Sequence, residues 1–94
     1  MASTPRTPND ALRVAREATP SPYVPDACMS RAELAEAVNR WCAANGRRPG
    51  ALDEHRIGRI EQGKTQWPNE DYRAGFRAVL GRSDCELGFR PSGR

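Results

Sequence analysis

Several features are scarce or missing in this chain of 94 residues, and each absence narrows what the protein can do. No apolar run approaches the ~18 residues of a membrane-spanning helix, and no signal peptide is visible. The three cysteines form no C-x-x-C pair, and together with His55 they match no common zinc-ligand spacing. We therefore expect a cytoplasmic protein with free thiols, without a bound metal or other cofactor and without contact to a membrane.

The residue patterns of common catalytic sites are missing as well. The chain has a single histidine, no serine in a nucleophile elbow and no phosphate-binding glycine loop. No carboxylate pair stands in an evident cleft, and no cysteine is close in sequence to an obvious base. These absences predict that the chain is not an enzyme.

Lysine is nearly absent, since 14 of the 15 basic residues are arginine and only Lys64 is lysine. A GC-rich coding bias explains most of this count, but the placement of the arginines is more informative. Arg40, Arg47 and Arg48 lie in a stretch without any acidic residue. The net charge is +3, and the guanidinium fork fits phosphates and guanine edges, so a nucleic-acid partner is favoured.

The sequence does contain helical periodicity. Apolar residues recur at spacings of three and four, and no alternating pattern extends far enough for a strand. Capping and turn residues predict an all-α, compact bundle of four to five short helices. These are expected over residues 10–18, from Ser30 to Asn45, over 53–62 and from Asn69 to Gly81, with a short terminal turn beginning at Ser83.

A chain of this length makes one small domain. We expect a disordered polar arm over residues 1–9, a single helical domain over 10–89 and a frayed tail over 90–94. The apolar stripes of the helices predict the core. Its expected members are Leu34, Val38, Trp41, Ile57, Ile60, Phe76, Val79, Leu80 and Leu87.

The segment from Ala51 to Gly63, which reads ALDEHRIGRIEQG, carries the clearest functional signal. Asp53 is its expected N-cap, and Gly63 stands where a left-handed residue ends a helix. Helical geometry puts Ile57 and Ile60 on one side of this helix and a polar row on the other, formed by His55, Arg59 and Gln62. A helix this short requires support from other helices, which the two isoleucines can contact. The polar row is then presented to a partner, for which DNA is the obvious candidate.

Three segments carry a resemblance to a known family: LRVARE at 12–17, SRAELAEA at 30–37 and RIGRIEQG at 56–63. They resemble the LRxxRE first helix, the S-x-x-ELA second helix and the IS-x-IE-x-G third helix of the XRE (Cro/C1-type) helix-turn-helix transcriptional regulators. The similarity covers residues 11–89 and is closer to an actinobacterial subgroup with an extended second helix.

The chain departs from the family pattern between its second and third helices. Ala35 and Ile57 lie 22 positions apart, which is further than in ordinary family members. The second helix must therefore be longer, and the loop RRPG at 47–50 is inserted ahead of the third helix. The arginines of this loop are expected either to contact the DNA backbone or to hold a partner.

The resemblance implies a lambda-repressor-like bundle that contains a helix-turn-helix, with residues 53–62 as the recognition helix in the major groove. Glu54, His55, Arg56 and Arg59 correspond to the positions that read bases, where Arg56 and Arg59 can each bind guanine. Arg31 begins the second helix and corresponds to a phosphate contact. Gln62 and Lys64 are further expected phosphate contacts, and Arg47 and Arg48 join the expected DNA-binding set if their loop contacts the backbone rather than a partner.

The resemblance also concerns partners and packing. Family members commonly bind double-stranded DNA as two-fold homodimers, which implies a nucleoid-associated protein when bound. Glu61 corresponds to a residue that fixes helix packing through an ion pair, here with Arg13 or Arg16. Glu61 is therefore left out of the expected DNA contacts.

Alternative interpretations stay open at this point. The same scaffold can serve as a protein-interaction module, antitoxin-like or partner-dependent, that uses the long second helix and the inserted loop to bind a regulatory protein. Arg56 can pair with Glu54 or a neighbouring acid on a solvated face instead of reading DNA, and His55 can be an ordinary surface residue.

Overall fold

The computed structural model describes residues 8–48 and 51–91. Within these ranges the chain forms four helices and no strand, and the only strand-like pairing there is an isolated bridge between Pro20 and Cys28. The predicted all-α class is confirmed. The helices are α1 (Asp10–Glu17), α2 (Arg31–Ala44), α3 (Glu54–Glu61) and α4 (Glu70–Leu80).

The predicted caps explain where α2 begins and ends. The Ser30 hydroxyl accepts from the Glu33 backbone N–H, and the Glu33 carboxylate accepts from the Ser30 N–H, which forms a capping box. At the other end Gly46 adopts φ +71°, and the backbone N–H of Arg47 donates to the Cys42 carbonyl at 2.8 Å. This Schellman closure satisfies the last carbonyls of α2 at the predicted position.

The core lies where the four helices meet, and α2 packs against both α3 and α4 while α1 packs against α3. The expected core residues divide into two groups. Trp41, Val79 and Leu80 are only partly buried at its margin. The fully enclosed group is Leu34, Val38, Ile57, Ile60, Phe76 and Leu87, joined by Leu12, Met29, Leu52, Tyr72 and Phe89 from the connections and helix ends.

Gly75 brings α4 unusually close to α2. A Cβ built at Gly75 would lie 2.7 Å from Cγ1 of Val38, closer than two carbon atoms can approach. Glycine is therefore required here by the packing of two helices, because any side chain would push them apart.

The two ends of the described chain meet. The Asn9 side chain caps α1 by accepting from the Leu12 N–H, and it also donates to the Leu87 carbonyl at 2.9 Å. The Asn9 backbone N–H donates to the Glu61 carbonyl, so a residue assigned to the arm by sequence holds α1, α3 and the C-terminal turn together. The rest of the expected arm (1–7), the tail residues 92–94 and positions 49–50 of the loop lie outside the described residues.

The C-terminal segment is a short turn rather than a fifth helix. The turn begins at Ser83 as predicted, and Ser83 and Glu86 exchange two capping hydrogen bonds. The segment then delivers Leu87 and Phe89 to the core, where the Phe89 ring lies 5.4 Å from that of Phe76. No helix of the described residues is long and apolar enough to cross a membrane.

Candidate nucleic-acid interface

The α3 helix is short, and both of its ends are fixed by capping. The Asp53 carboxylate accepts from the Arg56 N–H at 2.9 Å, as predicted for the N-cap. At the C-terminal end Gly63 takes φ +82°, and the N–H groups of Gly63 and Lys64 donate to the carbonyls of Ile60 and Arg59. These bonds form a second Schellman motif, so the eight residues between the caps are held as one rigid unit.

The two sides of α3 differ sharply in burial. Ile57 is fully buried and Ile60 is 3 % exposed, whereas the polar row on the other side faces solvent. This confirms the predicted amphipathic division of the helix. The exposed residues of α3 and the turn that follows are Glu54, His55, Arg56, Arg59, Gln62 and Lys64.

The start of α3 is attached to α2 by a single side chain. The Asn39 amide donates to the Leu52 carbonyl at 2.8 Å, and its oxygen accepts from the Leu52 N–H at 2.9 Å. Both backbone groups of Leu52 are thereby paired two residues ahead of α3. Sequence reasoning missed Asn39, although a polar residue on the partly buried side of a predicted helix was a usable signal.

A buried carboxylate joins three helices. Glu61, which is 5 % exposed, accepts from Nε of Arg16 on α1 at 2.7 Å and from Nε of Arg31 on α2 at 3.0 Å. Arg16 also donates to the Met29 carbonyl, and its hydrogen bond to Glu61 raises the pKa of the Arg16 guanidinium above its ordinary value. The ion pair expected for Glu61 is thus made with Arg16, while Arg13 pairs with Asp10 and Glu17 on its own helix.

Arg31 sits at the edge of the exposed row. Its Nη1 atom lies 3.9 Å from the position that a Cβ on Gly58 would take, so the guanidinium rests beside α3. The side chain keeps 46 % of its surface exposed while it is bonded to Glu61. One surface depression is lined by Arg31, Glu54, His55, Gly58, Arg59 and Gln62.

Arg47 and Arg48 are placed differently, although they are neighbours in sequence. Nη1 of Arg47 lies 2.8 Å from Oδ1 of Asp71 on α4, and its guanidinium carbon lies over the Trp41 ring, 5.6 Å from the ring centroid. It is therefore engaged within the protein, between α2 and α4. Arg48 is exposed.

Ion pairing separates the basic residues into two classes. Seven arginines of the described residues lie within 4 Å of a carboxylate, namely Arg13, Arg16, Arg31, Arg40, Arg47, Arg73 and Arg77. Within residues 8–48 and 51–91, the basic side chains that form no ion pair are Arg48, Arg56, Arg59, Lys64, Arg82 and Arg90.

The unpaired class is concentrated around one helix. Arg56, Arg59 and Lys64 belong to α3 or to the turn that follows it, and Arg48 lies in the connection that leads to it. Arg56 and Arg59 also donate no side-chain hydrogen bond to any described residue, so Arg56 does not pair with Glu54. A fixed helix thus carries exposed cations that no carboxylate of the described residues contacts, a condition that favours an anionic partner.

No protein-family model matches the chain, and neither a curated protein nor a solved structure is significantly similar to it.

Proposed function

We propose that this protein is a sequence-specific DNA-binding transcriptional regulator of the XRE (Cro/C1) type, with α3 as its recognition helix in the major groove. The observation that carries the proposal is the concentration of unpaired cations on the exposed side of α3, together with the capping and packing that hold this helix rigidly. A positive surface on a preorganised helix is the form in which many proteins read duplex DNA.

The proposal gives the side chains separate roles. Arg56 and Arg59 bind base edges, with guanine as the preferred base, and Glu54 and His55 contact neighbouring bases. Gln62, Lys64 and Arg48 bind phosphates, and Arg31 does so while it stays bonded to Glu61. Arg47 is withdrawn from this set, because its charge is already paired with Asp71. Two copies would bind a palindromic site as a homodimer, as the resemblance suggests.

The test starts from a duplex selected by the protein from a random pool and identified by sequencing. Arg59→Ala is expected to weaken specific binding by about 1–3 kcal/mol in a gel shift, because one base contact is lost. The thermal melt of the variant should equal that of the wild type, since the side chain is exposed. Arg82→Ala removes another exposed, unpaired cation outside α3 and should leave binding nearly unchanged.

A second function, a protein-interaction module, is favoured by one observation. Tyr23 and Val24, in the connection between α1 and α2, are more than half exposed, and Val14 on α1 is nearly so. Apolar groups displayed in this way are common where a protein partner binds. Salt distinguishes the two functions, because DNA binding weakens steeply as salt rises while an apolar contact does not. Failure to select any duplex would contradict the DNA-binding proposal.

A further inference from the structure

We infer that a cleft between α3 and the start of α4 binds a small aromatic carboxylate. This aromatic cleft is lined by five apolar or aromatic residues, by the polar residues Thr65 and Asn69, and by two arginines that we call its rim. The apolar members are Leu52, Ile60, Trp67, Pro68 and Tyr72, and the rim is formed by Arg56 and Arg59. The exposed helix side alone would not require these apolar walls, so the cleft is a second feature of the molecule.

The charge of the aromatic cleft points to an anion. No aspartate or glutamate lines it, and neither rim arginine has an ion pair within residues 8–48 and 51–91. Elsewhere in the described chain most arginines are matched with a carboxylate, so this unbalanced pair stands out. A planar carboxylate fits the guanidinium fork with two parallel hydrogen bonds.

Tyr72 supplies the second observation. The residue is 6 % exposed, it lines the aromatic cleft, and its hydroxyl makes no hydrogen bond to any residue that the structure describes. No buried side-chain oxygen or nitrogen of the described residues lacks a partner, so this hydroxyl reaches solvent at the cleft, where it is free to bond to a ligand. Burial raises the pKa of Tyr72, partly offset by Arg56, so the hydroxyl is protonated near neutral pH and can donate to a bound carboxylate.

The apolar residues that line the aromatic cleft favour an aromatic carboxylate over a phosphate. A phosphate group needs only cations and N–H donors, and it gains nothing from Trp67, Pro68 and Ile60. An aromatic ring gains from each of them, because buried apolar area and ring contacts both contribute. The indole of Trp67 is held in place by the Arg73 guanidinium, whose carbon lies 3.7 Å from the ring centroid. The cleft is therefore preorganised for a flat apolar body with one negative end.

Occupation of the aromatic cleft would engage Arg56 and Arg59, which are also the base-reading residues of the proposed function. We therefore expect the ligand and DNA to compete, so that the small molecule releases the regulator from its site. The competition rests on the proposed function, whereas ligand binding itself does not.

The direct test is a titration of the DNA-free protein with 1-naphthoate, followed by two-dimensional amide NMR. Saturable shifts are expected at Leu52, Thr65, Trp67 and Tyr72. The uncharged analogue 1-naphthalenemethanol should bind about tenfold more weakly or worse, and inorganic phosphate should not shift the same amides at equal concentration. Equal binding of the alcohol, saturation by phosphate, or no saturable shift would overturn the inference.

Variants sharpen the test. Tyr72→Phe keeps the buried ring and is expected to weaken naphthoate binding by about three- to tenfold, in line with the loss of one hydrogen bond. Arg56→Gln should weaken it by about tenfold, and Arg82→Gln should not change it. Unchanged naphthoate binding by both Tyr72→Phe and Arg56→Gln would contradict the assigned contacts.

The two proposals fail in different ways. Naphthoate that binds the cleft of a protein unable to select any duplex would leave this inference standing and refute the proposed function. A protein that retains its duplex but shows no cleft shifts would do the reverse. Release of the duplex by naphthoate from the wild type, and not by the alcohol, would support both.

Discussion

Glu61 forms ion pairs with two arginines, Arg16 and Arg31, that differ in their exposure to solvent. Arg16 is almost as buried as Glu61 itself, while Arg31 keeps nearly half of its side chain in water. One carboxylate therefore holds a structural cation and also a cation beside the candidate interface. The loss of one member of a buried ionic group is costly, because the remaining charge stays desolvated without compensation.

Glu61→Gln is accordingly expected to lower the free energy of unfolding by about 3 kcal/mol, mainly because Arg16 loses its ionic partner. Urea unfolding at neutral pH measures the change. Glu36→Gln is the matched control, since Glu36 is exposed, and its contacts are the Arg40 guanidinium on its own helix and the Tyr23 hydroxyl, to which a glutamine can still accept. The control should cost about 0.5 kcal/mol. A loss no larger for Glu61→Gln than for the control would contradict the structural role of Glu61.

Each helix is defined by local signals and positioned by contacts that the sequence does not display. The N-caps Ser30, Asp53 and Asn69 and the end of α2 at Gly46 follow from residue identity, because a capping side chain needs only its own next turn. The close approach of α4 to α2 at Gly75 does not follow in this way. A glycine within a helical pattern is compatible with many packings, and only the facing Val38 makes it necessary.

Alanine substitution should change the free energy of unfolding in opposite directions at the two helical glycines, Gly58 and Gly75. Gly75→Ala gains helix propensity but forces its Cβ against Val38, so the net result should be a loss of stability of about 1 kcal/mol. Gly58→Ala meets only Arg31 Nη1 at an ordinary 3.9 Å and should gain about 0.5–1 kcal/mol. Thermal unfolding of both variants and of the wild type measures the two changes in stability. Stabilisation by Gly75→Ala would refute the close contact.

At the scale of the whole molecule, the described chain closes on itself. The C-terminal turn packs Leu87 and Phe89 into the core, and Asn9 bonds to it from the other end of the chain. The sequence indicated that Leu87 is buried, yet it did not indicate that Asn9 belongs to the folded unit. A polar residue next to a proline-rich stretch resembles linker sequence, and its partners are 52 and 78 positions away.

Leu87→Ala should therefore destabilise the entire fold by about 2–5 kcal/mol, because a fully buried side chain is removed and a cavity is left. Leu80→Ala provides a comparison with the same chemical change at a partly buried position, and it should cost clearly less. Denaturant unfolding followed by circular dichroism compares the two. Equal effects would show that the C-terminal turn is not part of the cooperative unit.

The candidate interface was predictable to the extent that it depends on one helix. The sequence indicated which residues of α3 face outward, since periodicity alone decides this. It did not indicate that Arg47 is paired with Asp71, or that Arg56 and Arg59 border an apolar cleft. The first fact depends on where α4 lies relative to α2 and the second on where it lies relative to α3, and no local pattern encodes either placement.

The Asn39 clamp on Leu52 has a consequence for engineering. The Schellman motif fixes the connection at Arg47, and Asn39 fixes it again at Leu52, so α3 is held by Asn39, by its core packing and by Glu61 rather than by the span between these two residues. A peptide tag or a protease site spliced into that span should leave the helix where it is. The connection is therefore a natural insertion point for reporters and affinity handles.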